Sequence, residues 1–157
     1  MKALSIIQPW ATLIAMRAKR IETRGYPTAF RGELAIHSSK SMRRQFRDLC
    51  NEPPFVGLLH ADDERWKTGD LEQWPDVLPL GCVLAVAELV DCKPVEEFTC
   101  LSFQERQLGD YSSGRFGWVL DHVRPLVVPA PAVGRLGLWE WDPNAKPAAL
   151  PLFGDAT

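Results

Sequence analysis

Residues 80–92, with the sequence LGCVLAVAELVDC, constrain the fold more than any other part of the chain. This stretch is the most apolar and the richest in β-branched side chains, and its only charged residues are Glu88 and Asp91, near its C-terminal end. A short run of this kind is typical of a strand that is buried on both faces. We therefore expect a sheet with this strand near its centre.

Shorter segments around that strand give further elements. Apolar patterning bounded by Gly and Pro predicts strands at 3–7, 21–24, 32–37, 117–123, 124–128 and 136–141. Helical spacing predicts helices at 10–18, from Ser38 or Ser39 to about Cys50, and at 103–108. Because strands and helices do not alternate regularly, the pattern favours an α+β fold, a small and partly closed β-barrel with flanking helices.

The length of 157 residues is that of one domain, which we expect to span 1–142. Residues 51–79 combine four prolines with a run of acidic side chains, which predicts an irregular acidic insertion. Such an excursion is also a candidate contact for a protein partner, which would make the chain an interaction module. Residues 143–157 have little periodicity, and we expect this tail to be frayed.

Cysteine and glycine patterns give no sign of a cofactor. Cys50, Cys82, Cys92 and Cys100 match no zinc spacing, so we expect reduced thiols, no metal site and no cofactor. The chain has no glycine-rich phosphate loop. Its apolar runs are far shorter than the roughly 20 residues of a membrane helix, and its first residues lack a secretion signal. We expect a cytoplasmic protein with no membrane contact.

Charge is divided unevenly along the chain. Residues 1–47 hold ten Lys and Arg against Glu22 and Glu33, a net charge of +8, whereas residues 48–157 hold 8 basic and 18 acidic side chains, a net charge of −10. This asymmetry is compatible with a basic face that contacts phosphate. The alternative is that the two parts neutralise each other on the folded surface.

The densest group of chemically active side chains is at 19–24, KRIETR. In an extended segment Arg20, Glu22 and Arg24 share one face, opposite Ile21 and Thr23. Two guanidinium groups beside Glu22, with the Lys19 ammonium next to them, would keep the carboxylate ionised and orient the cations toward an anion. The alternative is a solvated strand edge whose charges deter aggregation.

Five further residues are candidates for ligand binding. Ser39 and Lys40 stand where a basic helix is expected to begin, a position suited to phosphate. His37 is a catalytic candidate or a hydrogen-bonded histidine at a strand end. Trp10 is a stacking platform for a base or a core residue of the first helix, and the amide of Gln8 is suited to pairing with a base edge.

Together these segments resemble a known family. The opening LSIIQPWATLIAMRAKRIETRGY, followed by RGELAIHSSK, GCVLAVAELVDC, GRFGWVLDHVRPL and GLWEW, resembles the ASCH domain family of the PUA-like superfamily over residues 3–142. The resemblance implies a small β-barrel, and RNA or a modified nucleoside or nucleotide as ligand. It implies a cleft beside the Lys19, Glu22 and Arg24 motif. We expect the lining of that cleft to comprise Gln8, Trp10, Lys19, Glu22, Arg24, His37 and Lys40.

The resemblance also implies two possible activities. Some members of such families are amidohydrolases on N4-acetylcytidine that use a lysine, a threonine three positions later and a distant glutamate. Lys19 matches the lysine, but Glu22 stands at the third position, with Thr23 one place further on, and Glu105 is the candidate for the distant acid. Hydrolysis would then use water, with Glu22 or Glu105 as general base and Lys19 stabilising the oxyanion. In a metal-independent ribonuclease, the same cluster would bind a phosphate and transfer protons.

Overall fold

A single mixed sheet forms the centre of the molecule. The computed structural model describes residues 1–61 and 78–145. Its strands are β1 (Lys2–Ile6), β2 (Ile21–Arg24), β3 (Gly32–Ser38), β4 (Cys82–Pro94), β5 (Phe116–Pro131) and β6 (Leu138–Glu140). The order across the sheet is β2-β5-β4-β3-β1-β6. β1 and β3 are parallel, and the other neighbours are antiparallel.

Irregular pairing curls this sheet into a half-barrel. The register between β4 and β5 shifts between Val83 and Ala85, between Val86 and Glu88, and between Leu89 and Asp91. Such bulges bend a strand and increase its twist. The α+β fold with a partly closed barrel is thereby confirmed, as is the interior position of β4 between β5 and β3.

One prediction about the strands is wrong. The segments expected as two strands, 117–123 and 124–128, form the single strand β5. Pro125 pairs with Ala85 in the stretch between two register shifts, and His122 has a positive φ of 46°. A proline lacks the N–H that a regular ladder requires, but a bulged stretch accommodates it without ending the strand.

The helices of the described residues are short: α1 (Trp10–Ala15), α2 (Arg44–Leu49), α3 (Phe55–Leu59) and α4 (Phe103–Gln107), with a 3₁₀ turn at Val95–Glu97. Ala11 and Ile14 of α1 pack against the sheet. The start expected for α2 at Ser38 or Ser39 is wrong. Ser39 donates its N–H to Ile6 O at 2.9 Å, which extends the strand contact instead of capping a helix.

Residues 51–79 were expected to form an irregular excursion, but the first part of this segment packs in the core. Phe55 and Leu59 of α3 are buried, and they share a cluster with Leu13 and Leu108. This part of 51–79 therefore differs from the expectation, because an apolar face of α3 closes over α1. Residues 62–77 of that segment, and 146–157 of the expected tail, lie outside the described residues.

The four cysteines are free, with Cys50 and Cys82 buried and Cys100 exposed. Within 1–61 and 78–145, no three His, Cys, Asp or Glu side chains come together in an arrangement that would hold a metal ion. In the same part of the chain, no helix has the length and apolar character needed to cross a membrane.

Candidate functional site

A cleft of about 670 Å³ lies where β2, at the edge of the sheet, meets the short helices. One part of its lining is aromatic and comes from Trp10, Tyr26, Phe46 and Phe55. The other part is polar and comes from Lys19, Glu22, Thr23, Arg24, Asp110 and Arg115. The cleft thus brings together four of the residues expected at the site, namely Trp10, Lys19, Glu22 and Arg24.

Lys19 is the most buried charge of the cleft, with 1% of its surface exposed. Its ammonium donates a hydrogen bond to Ile21 O and lies 3.7 Å from the Glu105 carboxylate. Burial lowers the pKa of Lys19, while Glu22 and Glu105 act in the opposite direction. The ammonium is therefore held by fixed partners at the base of the cleft.

Glu105 is a supporting group behind the cleft. Its carboxylate accepts the N–H of Arg20 at 2.9 Å and that of Ile21 at 3.1 Å, and Tyr111 donates its hydroxyl at 3.5 Å. The helix that carries Glu105 begins at Ser102, whose hydroxyl accepts the Glu105 N–H at 3.1 Å. Glu105 is not among the described residues that line the cleft. These contacts position Lys19 and the first residue of β2.

Glu22 lies beside Lys19 and is 8% exposed. Its carboxylate is 3.7 Å from Nη1 of Arg24. Burial raises the pKa of Glu22, and the positive charges of Lys19, Arg24 and Arg115 oppose that rise. A buried acid and a buried base therefore stand together, each with the balance between its charged and neutral forms shifted by desolvation.

The second guanidinium near Glu22 belongs to Arg115, so the prediction that Arg20 would have this place is wrong. Arg20 precedes the first residue of β2, where strand alternation no longer fixes the side chain, and it pairs on the surface with Asp121 at 3.1 Å. Arg115 donates to Thr23 O at 3.0 Å and lies 3.3 Å from the Asp110 carboxylate. The Thr23 hydroxyl oxygen accepts the Asp110 N–H at 3.1 Å.

Two aromatic residues border the cleft in different ways. Trp10 donates its indole N–H to Leu108 O at 2.9 Å and packs edge-to-face against Phe46, with ring centroids 5.2 Å apart. It therefore packs as a core residue of α1 and also lines the cleft. Tyr26 is 40% exposed, and the Arg24 guanidinium lies 5.3 Å from the centre of its ring. Tyr26 was not among the residues expected at the site.

Gln8 does not line the cleft. It is fully buried, and its amide nitrogen donates to Thr12 Oγ1 and to Pro79 O, both at 2.8 Å. Its amide oxygen accepts the Thr12 N–H at 3.1 Å. The amide that was expected to meet a base edge instead holds the start of α1.

His37 is not among the described residues that line the cleft. Its ring nitrogens are 3.1 Å from Ser5 Oγ and 3.1 Å from Ala132 O, and it packs edge-to-face on Trp139 with ring centroids 5.4 Å apart. This arrangement is the hydrogen-bonded histidine of the alternative interpretation. Burial lowers its pKa.

Ser39 and Lys40 are not among the described residues that line the cleft. The helix start expected there is wrong, because α2 begins only at Arg44. Lys40 is exposed.

Sequence reasoning missed the contribution of residues 107–110, which line the cleft directly after α4. A Cβ atom on Gly109 would lie 2.7 Å from Tyr111 Cε2 and 3.4 Å from Lys19 Nζ. Glycine therefore keeps the space beside the ammonium open. Nothing in the local sequence indicates which distant residues this loop will meet.

Comparison with known proteins identifies the family. A family model described as the ASCH domain matches residues 4–129. The chain belongs to the ASCH domain family. The resemblance noted in the sequence is thus confirmed.

Similar proteins include activating signal cointegrator 1 of Homo sapiens and activating signal cointegrator 1 of Mus musculus. Each is 29% identical to this ASCH domain over 139 residues, which cover 88% of the chain and 22% of the relative. The chain therefore spans less than a quarter of the length of these relatives.

Proposed function

We propose that this ASCH domain binds RNA or a modified nucleoside in the cleft. The observation that carries the proposal is that aromatic side chains meet the buried Lys19 and Glu22 and the half-buried Arg24 in one cavity. Membership of the ASCH family supports it, since the resemblance implies ligands of this class. A volume of about 670 Å³ lies within the range of small-molecule sites.

The chemistry of the lining suits a base. A base is flat and apolar on its faces, and stacking on an aromatic side chain contributes about 1–3 kcal/mol. Its edge carries donors and acceptors, which the Lys19 ammonium, the Glu22 carboxyl group and the Arg24 guanidinium complement. Tyr26, the most exposed aromatic residue of the lining, is the stacking residue of this proposal.

Binding is tested with cytidine, N4-acetylcytidine and a labelled single-stranded RNA, in the presence of EDTA. We expect Tyr26→Ala to weaken binding by about five- to 150-fold, from the stacking energy, and Tyr26→Phe to retain it. Arg24→Ala should weaken binding by at least tenfold. Arg135→Ala is the matched control, because Arg135 is exposed and lies outside the lining. Unchanged affinity in folded Lys19→Ala, Arg24→Ala and Tyr26→Ala variants would overturn the proposal.

A second candidate function is hydrolysis at the same site. It is favoured by the opposite pKa shifts of Lys19 and Glu22 in one cleft, since perturbed pKa values concentrate at catalytic sites. On N4-acetylcytidine, water would attack the acetyl carbon and give its proton to Glu22, and Lys19 would stabilise the oxyanion. The bond between the carbonyl carbon and N4 would then break as N4 takes the proton back from Glu22, which releases cytidine and acetic acid, and the acid ionises to acetate in solution. Glu105 would position Lys19.

On RNA, the same groups would bind a phosphate and transfer protons, as in a metal-independent ribonuclease. Product formation separates both activities from binding alone. We expect Glu22→Gln and Lys19→Ala to abolish turnover, while Glu22→Gln retains ligand affinity within a few-fold. Wild-type protein that forms no more acetate or RNA fragments than a protein-free control would leave binding as the function and refute the hydrolase.

A further inference from the structure

Five of the ten basic side chains of residues 1–47 have acidic partners among the described residues. Their ion pairs, with N···O separations in parentheses, are Lys2–Glu140 (2.6 Å), Lys19–Glu105 (3.7 Å), Arg20–Asp121 (3.1 Å), Arg24–Glu22 (3.7 Å) and Arg31–Asp91 (3.3 Å). Four of the five partners belong to the acidic part, residues 48–157. Folding therefore neutralises much of the +8 charge of residues 1–47.

One segment keeps its positive charge. Lys40, Arg43 and Arg44 are exposed, and they form no ion pair within the part of the chain that the structure describes. The sequence between Glu33 and Asp48 contains no acidic residue. We refer to residues 40–44 as the basic segment.

The basic segment is anchored to the cleft at both ends. On its N-terminal side, Ser39 donates its N–H to Ile6 O at 2.9 Å, and Ile6 lines the cleft. On its C-terminal side, Phe46 and Leu49 of α2 line the cleft as well. Arg43 precedes Phe46 by three positions, so it lies about one helical turn from a lining residue. The backbone of the basic segment therefore runs beside the cleft, and its three cations form no ion pair with the described residues.

We infer that the basic segment binds the phosphates of a single-stranded RNA whose base occupies the cleft, so that the ligand is a strand rather than a free nucleoside. This inference rests on the proposed function and names its ligand class. A free nucleoside has no phosphate to reach cations outside the cleft, whereas a strand presents phosphates on either side of a bound base. Arginine suits this role, since its guanidinium remains charged and matches phosphate geometry.

The test is fluorescence anisotropy with a labelled single-stranded RNA 12-mer between 50 and 300 mM salt. Each phosphate contact on a single strand contributes about 0.7 to the slope of log K against log salt. The double variant Arg43→Ala/Arg44→Ala should therefore lower that slope by about 1.4 and weaken binding about tenfold or more at 50 mM salt. Arg135→Ala, which removes an exposed arginine from the loop before β6, should leave the slope unchanged.

Free nucleoside and nucleoside monophosphate complete the experiment. We expect both to bind more weakly than the 12-mer, and we expect the free nucleoside, which carries no phosphate, to bind the double variant as it binds the wild type. An unchanged salt slope in the double variant would overturn the inference, and so would a monophosphate that binds as tightly as the 12-mer. In either case the proposed function stands if Tyr26→Ala still weakens binding. If Tyr26→Ala and Arg24→Ala have no effect on any ligand, the proposed function itself fails.

Discussion

Replacing Glu105 by glutamine should destabilise the fold strongly, although the two side chains have nearly the same shape. The carboxylate accepts two backbone N–H groups, of Arg20 and Ile21, and faces the ammonium of Lys19, which is 1% exposed. A glutamine amide presents one oxygen and one NH₂ group, so one of the two N–H donors loses its acceptor. A hydrogen bond to a charged group contributes about 1.5–3 kcal/mol.

The substitution also removes a counter-ion from Lys19. Breaking a buried pair by removing one partner costs about 3–5 kcal/mol, and Glu22 remains near the ammonium to offset part of that cost. We therefore expect Glu105→Gln to lower the free energy of unfolding by about 3–5 kcal/mol in total. For a chain of this size the melting temperature should fall by about 6–20 °C.

Urea unfolding followed by tryptophan fluorescence measures this loss. Glu97→Gln is the control, because Glu97 is exposed, and it should change stability by less than about 0.5 kcal/mol. The double variant Glu105→Gln/Lys19→Met removes the uncompensated charge, so it should be more stable than Glu105→Gln alone. If Glu105→Gln unfolds within 0.5 kcal/mol of the wild type, Glu105 does not hold Lys19 and β2 as described here.

Three other predictions concern residues away from the cleft. Gln8→Ala should destabilise the chain by about 2–4 kcal/mol, since it removes three buried hydrogen bonds, and a selective loss of ligand affinity in the folded variant would contradict the structural role. Because burial lowers the pKa of His37, the unfolded chain binds its proton first as pH falls below about 6.5. Urea unfolding from pH 7.5 to 5 should therefore show a loss of stability that is shallower in His37→Gln, and parallel curves would refute this. Gly134→Ala places a Cβ atom 2.4 Å from His37 Cε1 and should lower the free energy of unfolding by about 1–3 kcal/mol. Gly57→Ala in α3 meets open space and should raise the free energy of unfolding by up to about 1 kcal/mol. Equal effects of the two substitutions on stability would contradict the packing described.

The local sequence pattern was sufficient to predict several secondary-structure elements and part of the candidate site. Residues 80–92 predict the interior strand β4, because a continuous apolar run excludes any position with a solvated face. Lys19, Glu22 and Arg24 were grouped correctly as well. They lie within six residues of one another, and the geometry of a turn followed by a short strand keeps such neighbours together whatever the rest of the chain does.

Tertiary structure decided which distant residues complete the group. Arg115 and Glu105 lie more than 80 positions from β2 in the sequence, and no periodicity in either segment indicates that they meet it. Alternation placed Arg20 beside Glu22, but the strand begins one residue later and the side chain pairs with Asp121 instead. Gln8 and His37 are polar residues whose partners come from Pro79 and Ala132. Only the folded chain shows that these polar groups are already satisfied.

The same distinction applies to charge. The sequence determined that residues 1–47 are basic, that residues 48–157 are acidic, and that the acidic part is large enough to neutralise the basic one. Only the tertiary structure decided which cations find a carboxylate and which, at 40–44, find none among the described residues. The physical reason is that an ion pair depends on a separation of a few ångströms, and sequence order does not fix that separation for segments far apart in the chain.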